Sequence, residues 1–108
     1  LAKQKETSFK EKVKDDLKIV ENCWYVKIQQ RSIRGIPDLL LCINGMFVAI
    51  ELKTDKGIVS PLQKHILSQI TLAKGLGLVA QPKNWKSVLT ALIALGRGEN
   101  HGSDDSRN

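Results

Sequence analysis

The sequence predicts an α/β domain with a mixed β-sheet of about four strands flanked by helices. Three observations carry this. Two apolar runs, 37–43 and 46–53, are separated only by Asn44-Gly45. Asn-Gly between such runs marks a two-residue type I′ turn, because both turn residues need φ > 0, so the runs form an antiparallel hairpin. Helical periodicity recurs on both sides of the hairpin. Finally, the helix after the hairpin leads to another short apolar run, and a strand reached through a crossover helix lies parallel to the one it left.

A chain of 108 residues is a single domain with room for one hydrophobic core. The folded part is expected over 1–96, and 97–108 reads as a polar, aperiodic tail expected to be disordered. Charged residues make up 26 % and hydrophobic ones 42 %, as in an ordinary globular protein. No apolar run reaches the roughly 18 residues a membrane helix needs. Leu1-Ala2-Lys3-Gln4-Lys5 does not read as a signal peptide. The net charge of +6 favours a polyanionic partner, of which nucleic acid is the commonest. Cys23 and Cys42 fall in predicted strands without a Cys-x-x-Cys spacing or a neighbouring His. Both read as buried thiols in a reducing compartment rather than zinc ligands, which points to the cytoplasm.

The first helix is expected from about Lys5, with Asn22 ending it. Phe9, Val13, Leu17 and Val20 share one face, and Glu11, Lys12, Lys14, Asp15 and Asp16 form a solvated one. Glu6 lies on the apolar face, either as a first-turn acid favoured by the helix dipole or as an acid held for a site. Residues 23–28 are aromatic and β-branched and read as a strand. The connection 29–35 is polar and basic. With Lys27 before it, its Arg31 and Arg34 suit a phosphodiester backbone, or else neutralise nearby acids. Residues 54–59 form a loop. Ser60 is the N-cap of a second helix, Pro61 takes its first position and Gln63 closes a capping box. Leu62, Ile66, Ile70 and Ala73 supply its apolar stripe, with Leu67 beside it, and Gly75 ends it. His65 reads as polar surface. Leu78-Val79-Ala80 is a short strand. A last helix begins at Pro82 or Asn84, buries Trp85, Val88, Leu89, Leu92, Ile93 and Leu95, and stops at 96–98.

The turn fixes the hairpin register. Ile43 faces Met46, and counting back places Asp38 opposite Glu51 in a non-hydrogen-bonded pair, where Cα atoms stand about 4.5 Å apart. Two carboxylates so placed repel unless a cation compensates. Lys53, two residues on, projects from the same face as Glu51. The opposite face, from Leu39 through Leu52, carries no polar residue. The bland alternative is a strand-end Asp and a surface Glu-x-Lys.

Pro37-Asp38, then Glu51-Leu52-Lys53, then a helix opening Ser60-Pro61-Leu62-Gln63, resembles the PD-(D/E)xK nuclease superfamily. The stretches 35–40 and 48–53 look most like the stand-alone viral VRR-NUC nucleases, which are similar to archaeal Holliday-junction resolvases. The resemblance covers roughly residues 6–92. It implies a restriction-endonuclease-like core in which Asp38 and Glu51 ligate Mg²⁺ or Mn²⁺ together with the backbone carbonyl of Leu52. Hard oxygen donors suit these ions. Lys53 would orient the attacking water, Glu6 would add a first-helix acid, and Gln63 would support the site. The implied reaction is metal-dependent hydrolysis of DNA phosphodiesters, leaving a 5′-phosphate, by a homodimer acting on branched or junction DNA in the cytoplasm (the host's, for a viral protein).

The leading expectation is therefore a structure-selective endonuclease, first among them a Holliday-junction resolvase. Flap, nicking or sequence-specific cleavage are alternatives within the enzyme class. Outside it stand a catalytically inactive DNA-binding module of the same fold, and a plain structural domain whose acids pair with Arg31 or Arg34.

Overall fold

The computed structural model describes residues 2–29 and 33–99, with side chains described from Ser8 onward. The chain runs through helix α1 (Ala2–Leu17), strands β1 (Cys23–Lys27), β2 (Leu39–Ile43) and β3 (Met46–Leu52), helix α2 (Pro61–Leu72), strand β4 (Leu76–Ala80) and helix α3 (Trp85–Gly96). The sheet order is β1-β2-β3-β4. The first three strands are antiparallel to one another in turn, and β4 is parallel to β3. This is the mixed, helix-flanked α/β sheet expected from the sequence. No helix among the described residues is long and apolar enough to cross a membrane.

Asn44 and Gly45 have φ of 50° and 86°, as a type I′ turn requires. Ile43 pairs with Met46 and Leu39 with Ile50, the register expected from the turn. Strand alternation then buries Leu39, Leu41, Ile43, Val48, Ile50 and Leu52 on one face. Phe9, Val13 and Leu17 of α1 and Trp85 and Leu92 of α3 complete that core. Burying each Leu or Ile contributes roughly 1.5–3 kcal/mol. Phe9 meets Trp85 edge-on, with centroids 6.1 Å apart. The Trp85 indole N–H donates to Asp16 Oδ2 at 2.8 Å, and Lys12 approaches the same oxygen at 3.2 Å. The Trp85 bond, with smaller help from Lys12, holds the Asp16 carboxyl below its ordinary range against the opposing effect of burial.

Helix α2 covers the other face, over β3 and β4. Its buried residue is Leu67. The Leu67 carbonyl would stand 2.8 Å from a Cβ at Gly77, and Gly77 pairs with Ala49, itself fully buried. Small residues on two adjacent strands thus let α2 drop onto the sheet.

Several boundaries differ from expectation. Helix α1 begins at Ala2 and ends at Leu17, not Asn22. Residues 18–20 follow as i→i−3 turns, which keep Val20 near the face of Leu17, and Asn22 sits at φ 52°. Strand β1 ends at Lys27, β2 begins at Leu39 and β3 ends at Leu52, each one or two residues short of the apolar run. Helix α2 ends at Leu72, and β4 begins two residues earlier than expected, at Leu76. Cys23 is half-buried and Cys42 exposed, correcting the expectation of two buried thiols. Desolvation, with a smaller contribution from Cys42, pushes the Cys23 thiol up. The stripe assigned to α2 is also displaced, because Leu62 is 42 % exposed and Ala73 is exposed. Residues 97–99, expected to open the tail, instead close α3. Gly98, at φ 80°, donates to Leu95 O, and Glu99 donates to Ala94 O at 2.8 Å, a Schellman stop. Residues 100–108 lie outside the described residues.

Candidate functional site

The end of β1, the start of β2 and the ends of β3 and β4 lie together at one end of the sheet, since Lys27 pairs with Leu39, Leu39 with Ile50, and Leu52 with Ala80. Asp38 enters this end just before β2. Its backbone carbonyl accepts from Ile28 N at 2.8 Å, which ties it to the end of β1. Its Oδ2 accepts from the Leu52 N–H at 2.8 Å. In the alternation that makes Leu39–Ile50 a hydrogen-bonded pair, the next such pair would be residue 37 with Leu52. Residue 37 is proline, which brings no N–H. The Leu52 carbonyl thus loses its ladder donor, and the Asp38 carboxylate takes the Leu52 N–H. One carboxylate is docked on the peptide that joins Glu51 to Leu52, and the Leu52 carbonyl faces the same edge.

Glu51 is 4 % exposed, on the α2 side of the sheet. Burying a carboxylate requires donors. Gln63 Nε2 reaches Glu51 Oε2 at 2.7 Å, and Lys53 Nζ approaches the same oxygen at 3.6 Å. The backbone of Lys53 is held by its N–H on Ala80 O at 3.0 Å, and its side chain is only 23 % exposed. Gln63 has two functions. Its Oε1 accepts from Ser60 N at 2.9 Å and its N–H reaches Ser60 Oγ at 3.1 Å, the capping box expected for α2. Because the cap occupies the amide oxygen, the amide nitrogen is left to face Glu51 as a donor. Gly35 completes this side. At φ 77° it brings its loop against α2, where a Cβ would stand 2.7 Å from Leu62 Cγ.

Asp38 also faces α1. It lines a small cavity, about 20 Å³, with Lys10, Lys14, Lys27, Leu39 and Leu52. Lys14, expected on the solvated face, is half-buried here, and Lys10 was not singled out from the sequence. The signal was present as a row at four-residue spacing, Glu6–Lys10–Lys14, bordering the apolar stripe of α1, where long side chains lay their stems against the core. Glu6 stands one turn before Lys10 on that row, and its side chain lies outside the described residues. Arg31 lies outside them too. Arg34 and Lys27 are exposed.

The helix starts add to this cationic rim. Neither α2 nor α3 has an acid in its first turn, and Lys64 and Lys86 stand there instead. Lysine near a helix N-terminus opposes the helix dipole, and two positive features together favour an anion.

The donor set fits a hard divalent cation. It comprises the Asp38 carboxylate on the Leu52 N–H, the Glu51 carboxylate on the α2 side, and a Leu52 carbonyl deprived of its ladder N–H. Mg²⁺ needs only one or two carboxylates, because it keeps several waters and takes substrate phosphate oxygens. Among the described residues, no group of three or more His, Cys, Asp or Glu side chains is placed to hold a metal ion.

No family model, curated protein or solved structure matches this chain.

Proposed function

We propose that this protein is a Mg²⁺- or Mn²⁺-dependent endonuclease that hydrolyses DNA phosphodiesters, with branched DNA as its substrate and a homodimer as its working form. The observation that carries the reading is the docking of Asp38 on the Glu51–Leu52 peptide, with Lys53 and Gln63 both on the buried Glu51. Asp38, Glu51 and the Leu52 carbonyl would hold the metal, and Glu6 is the acid that would join them from α1. When bound, the ion polarises the phosphate and lowers the pKa of a coordinated water.

The chain's own residues supply the rest. Gln63 orients Glu51 by donating to Oε2. Lys53 sits beside the same carboxylate, where its charge holds the attacking water and offsets charge developing at phosphorus. Lys10, Lys14, Lys27 and Arg34 hold the sugar–phosphate backbone around Asp38, as sequence-independent contacts do. Arg31 belongs to the same proposed surface by its place in the sequence. Contacts of this kind read the shape of the backbone rather than base sequence. Its thiols suit a reducing compartment such as the cytoplasm.

The test is a panel of end-labelled linear, nicked, flap and four-way DNAs incubated with Mn²⁺ and with EDTA. Metal-dependent cleavage strongest on a branched substrate is expected. Cleavage strongest on linear duplex removes the structure-selective part of the reading. No cleavage of any substrate, with DNA still bound, marks a binding module instead.

A further inference from the structure

The sheet has two faces, and α2 covers the second only in part. On the α2 side the register sets Trp24, Cys42 and Phe47 in one row across β1, β2 and β3, and Val26, Leu40 and Ala49 in the next. The helix sits on Ala49 and Gly77, and the Gly35 loop packs on its Leu62 and Ile66, so that flank is closed. The β1–β2 half beyond them stays open. Trp24 is 67 % exposed, Phe47 45 % and Val26 38 %, and Cys42 is exposed between Trp24 and Phe47. Phe47 is braced from behind, since a Cβ at Gly75 would stand 3.1 Å from its Cδ2.

We infer that unpaired bases of a DNA strand stack on this row, on the rings of Trp24 and Phe47 and over Cys42. The inference rests on the DNA reading of the site and names the kind of DNA: one with a single-stranded segment beside the bond that is cut. The geometry suits a flat ring. Strands β1 and β3 are two strand spacings apart, about 9.5 Å, and a base touching a ring on each side needs roughly 7–8 Å. The residue between them, Cys42, is small. Every base presents a π-face, so aromatic side chains on an open sheet face take single strands of any sequence.

Size decides the occupant. An aromatic side chain offers roughly 150–250 Å², so Trp24 and Phe47 together expose on the order of 200 Å². A standard protein interface takes roughly 800 Å² per partner. The patch is too small for a folded partner and large enough for one or two bases. Charge agrees, because Trp24, Val26, Leu40, Cys42 and Phe47 bring no carboxylate to repel phosphates, in a chain of net charge +6. Phe47 and Glu51 lie four residues apart on β3, about 13 Å, so a strand on this platform runs toward the cations around Asp38. The residues after Glu99 contain no apolar side chain that could cover the face instead.

The chain's two tryptophans make the test direct, because Trp85 is buried and Trp24 exposed. Oligo(dT) titrated into the full chain without metal should quench the Trp24 emission and slow alkylation of Cys42. An abasic deoxyribose-phosphate strand of equal length should do neither. Trp24→Ala and Phe47→Ala should each weaken oligo(dT) binding by about 5- to 150-fold, the usual loss for one stacked base. Their salt slopes should match the parent's, because no phosphate contact is removed. An abasic strand that binds as tightly as oligo(dT), a Cys42 rate that oligo(dT) leaves unchanged, or a Trp24→Ala variant that binds as the parent does overturns the inference. The parent's own emission and alkylation need no variant, so a substitution that fails to fold leaves the test intact. Cleavage of four-way DNA in Mn²⁺ reports the nuclease reading separately: a chain that cuts but does not stack oligo(dT) keeps that reading and loses this one.

Discussion

At the hairpin-turn end of the sheet, polar groups find partners within the chain: Asn22 Nδ2 on Gly96 O at 2.9 Å, Asn44 Nδ2 on Leu95 O at 3.3 Å, and Arg97 beside Glu21 at 3.5 Å. Its charges, Glu21 and Glu99 against Lys74 and Arg97, with Lys18 paired to Asp15 at 3.3 Å, balance. The opposite end gathers Asp38, Glu51 and Asp55, but rings them with Lys10, Lys14, Lys27, Arg34, Lys53, Lys56, Lys64, Lys83 and Lys86. The same four strands and three helices connect the two ends, so the fold does not demand the imbalance. An excess of cations at helix starts and strand ends lowers stability through self-repulsion and is useful where an anion supplies the missing charge. The contrast separates what holds the domain together from what the domain is built to hold.

Substitutions at the two ends should therefore differ in kind. The largest effect is expected from Lys53→Ala. Cleavage should fall by about 10²–10³-fold, the usual loss for a group that meets transition-state charge, while Mn²⁺ binding persists. Parental cleavage by this variant would remove Lys53 from the chemistry. Next is Gln63→Glu, which keeps a side chain able to close the capping box but replaces the donor facing Glu51 with an acceptor. Helix content should persist while cleavage falls about 10–100-fold, as for partners that orient metal ligands. Parental cleavage by this variant would reduce Gln63 to a structural cap.

Smaller effects probe the lysine rim. Lys10→Ala and Lys14→Ala should each flatten the salt dependence of DNA binding by about one unit of slope, whereas Lys74→Ala at the turn end should not. Equal changes at both ends would erase the contrast. The smallest effect belongs to Asp16→Asn, which weakens the bond to the Trp85 indole. The folded-state pKa of Asp16 is depressed, so its contribution is present above the ordinary carboxylate pKa and is lost as pH falls through the lower folded value. A deficit of about 1 kcal/mol at neutral pH, typical of one hydrogen bond to a charged group partly screened by solvent, should close in acid without altering cleavage. Urea melts at pH 7 and near pH 2 check it.

The hairpin was legible because Asn44-Gly45 fixes the turn and a period of two then fixes every face. The Ser60–Gln63 cap was legible because it is local. The covered side of α2 was not, because it is set by Ala49 and Gly77, small residues on the two flanking strands whose pairing helical periodicity does not report. Cys42 was misplaced for the same reason, since its exposure depends on how far α2 reaches across the sheet. Val20 extended the apparent periodicity of α1, since an i→i−3 turn preserves nearly the same spacing as another helical turn. Lys10 and Lys14 needed the crossing of α1 past Asp38, which periodicity does not report. Asp38, Glu51, Lys53 and Gln63 were named from a register and a resemblance, and their hydrogen bonds came only with the structure.

The central claim is that Asp38 and Glu51 act together on one metal ion, and thermal unfolding with and without Mn²⁺ tests it most directly. For the parent, Mn²⁺ at about a hundred times its Kd should add about 2.7 kcal/mol, because the ion binds the native state alone. For a domain of this size that corresponds to a rise of roughly 10–20 °C in the midpoint. Asp38→Asn keeps an oxygen for the Leu52 N–H and removes one carboxylate of the pair. It should fold in metal-free buffer and show no rise with Mn²⁺. A parent that does not respond to Mn²⁺, or an Asp38→Asn variant that responds as the parent does, would contradict the two-carboxylate site.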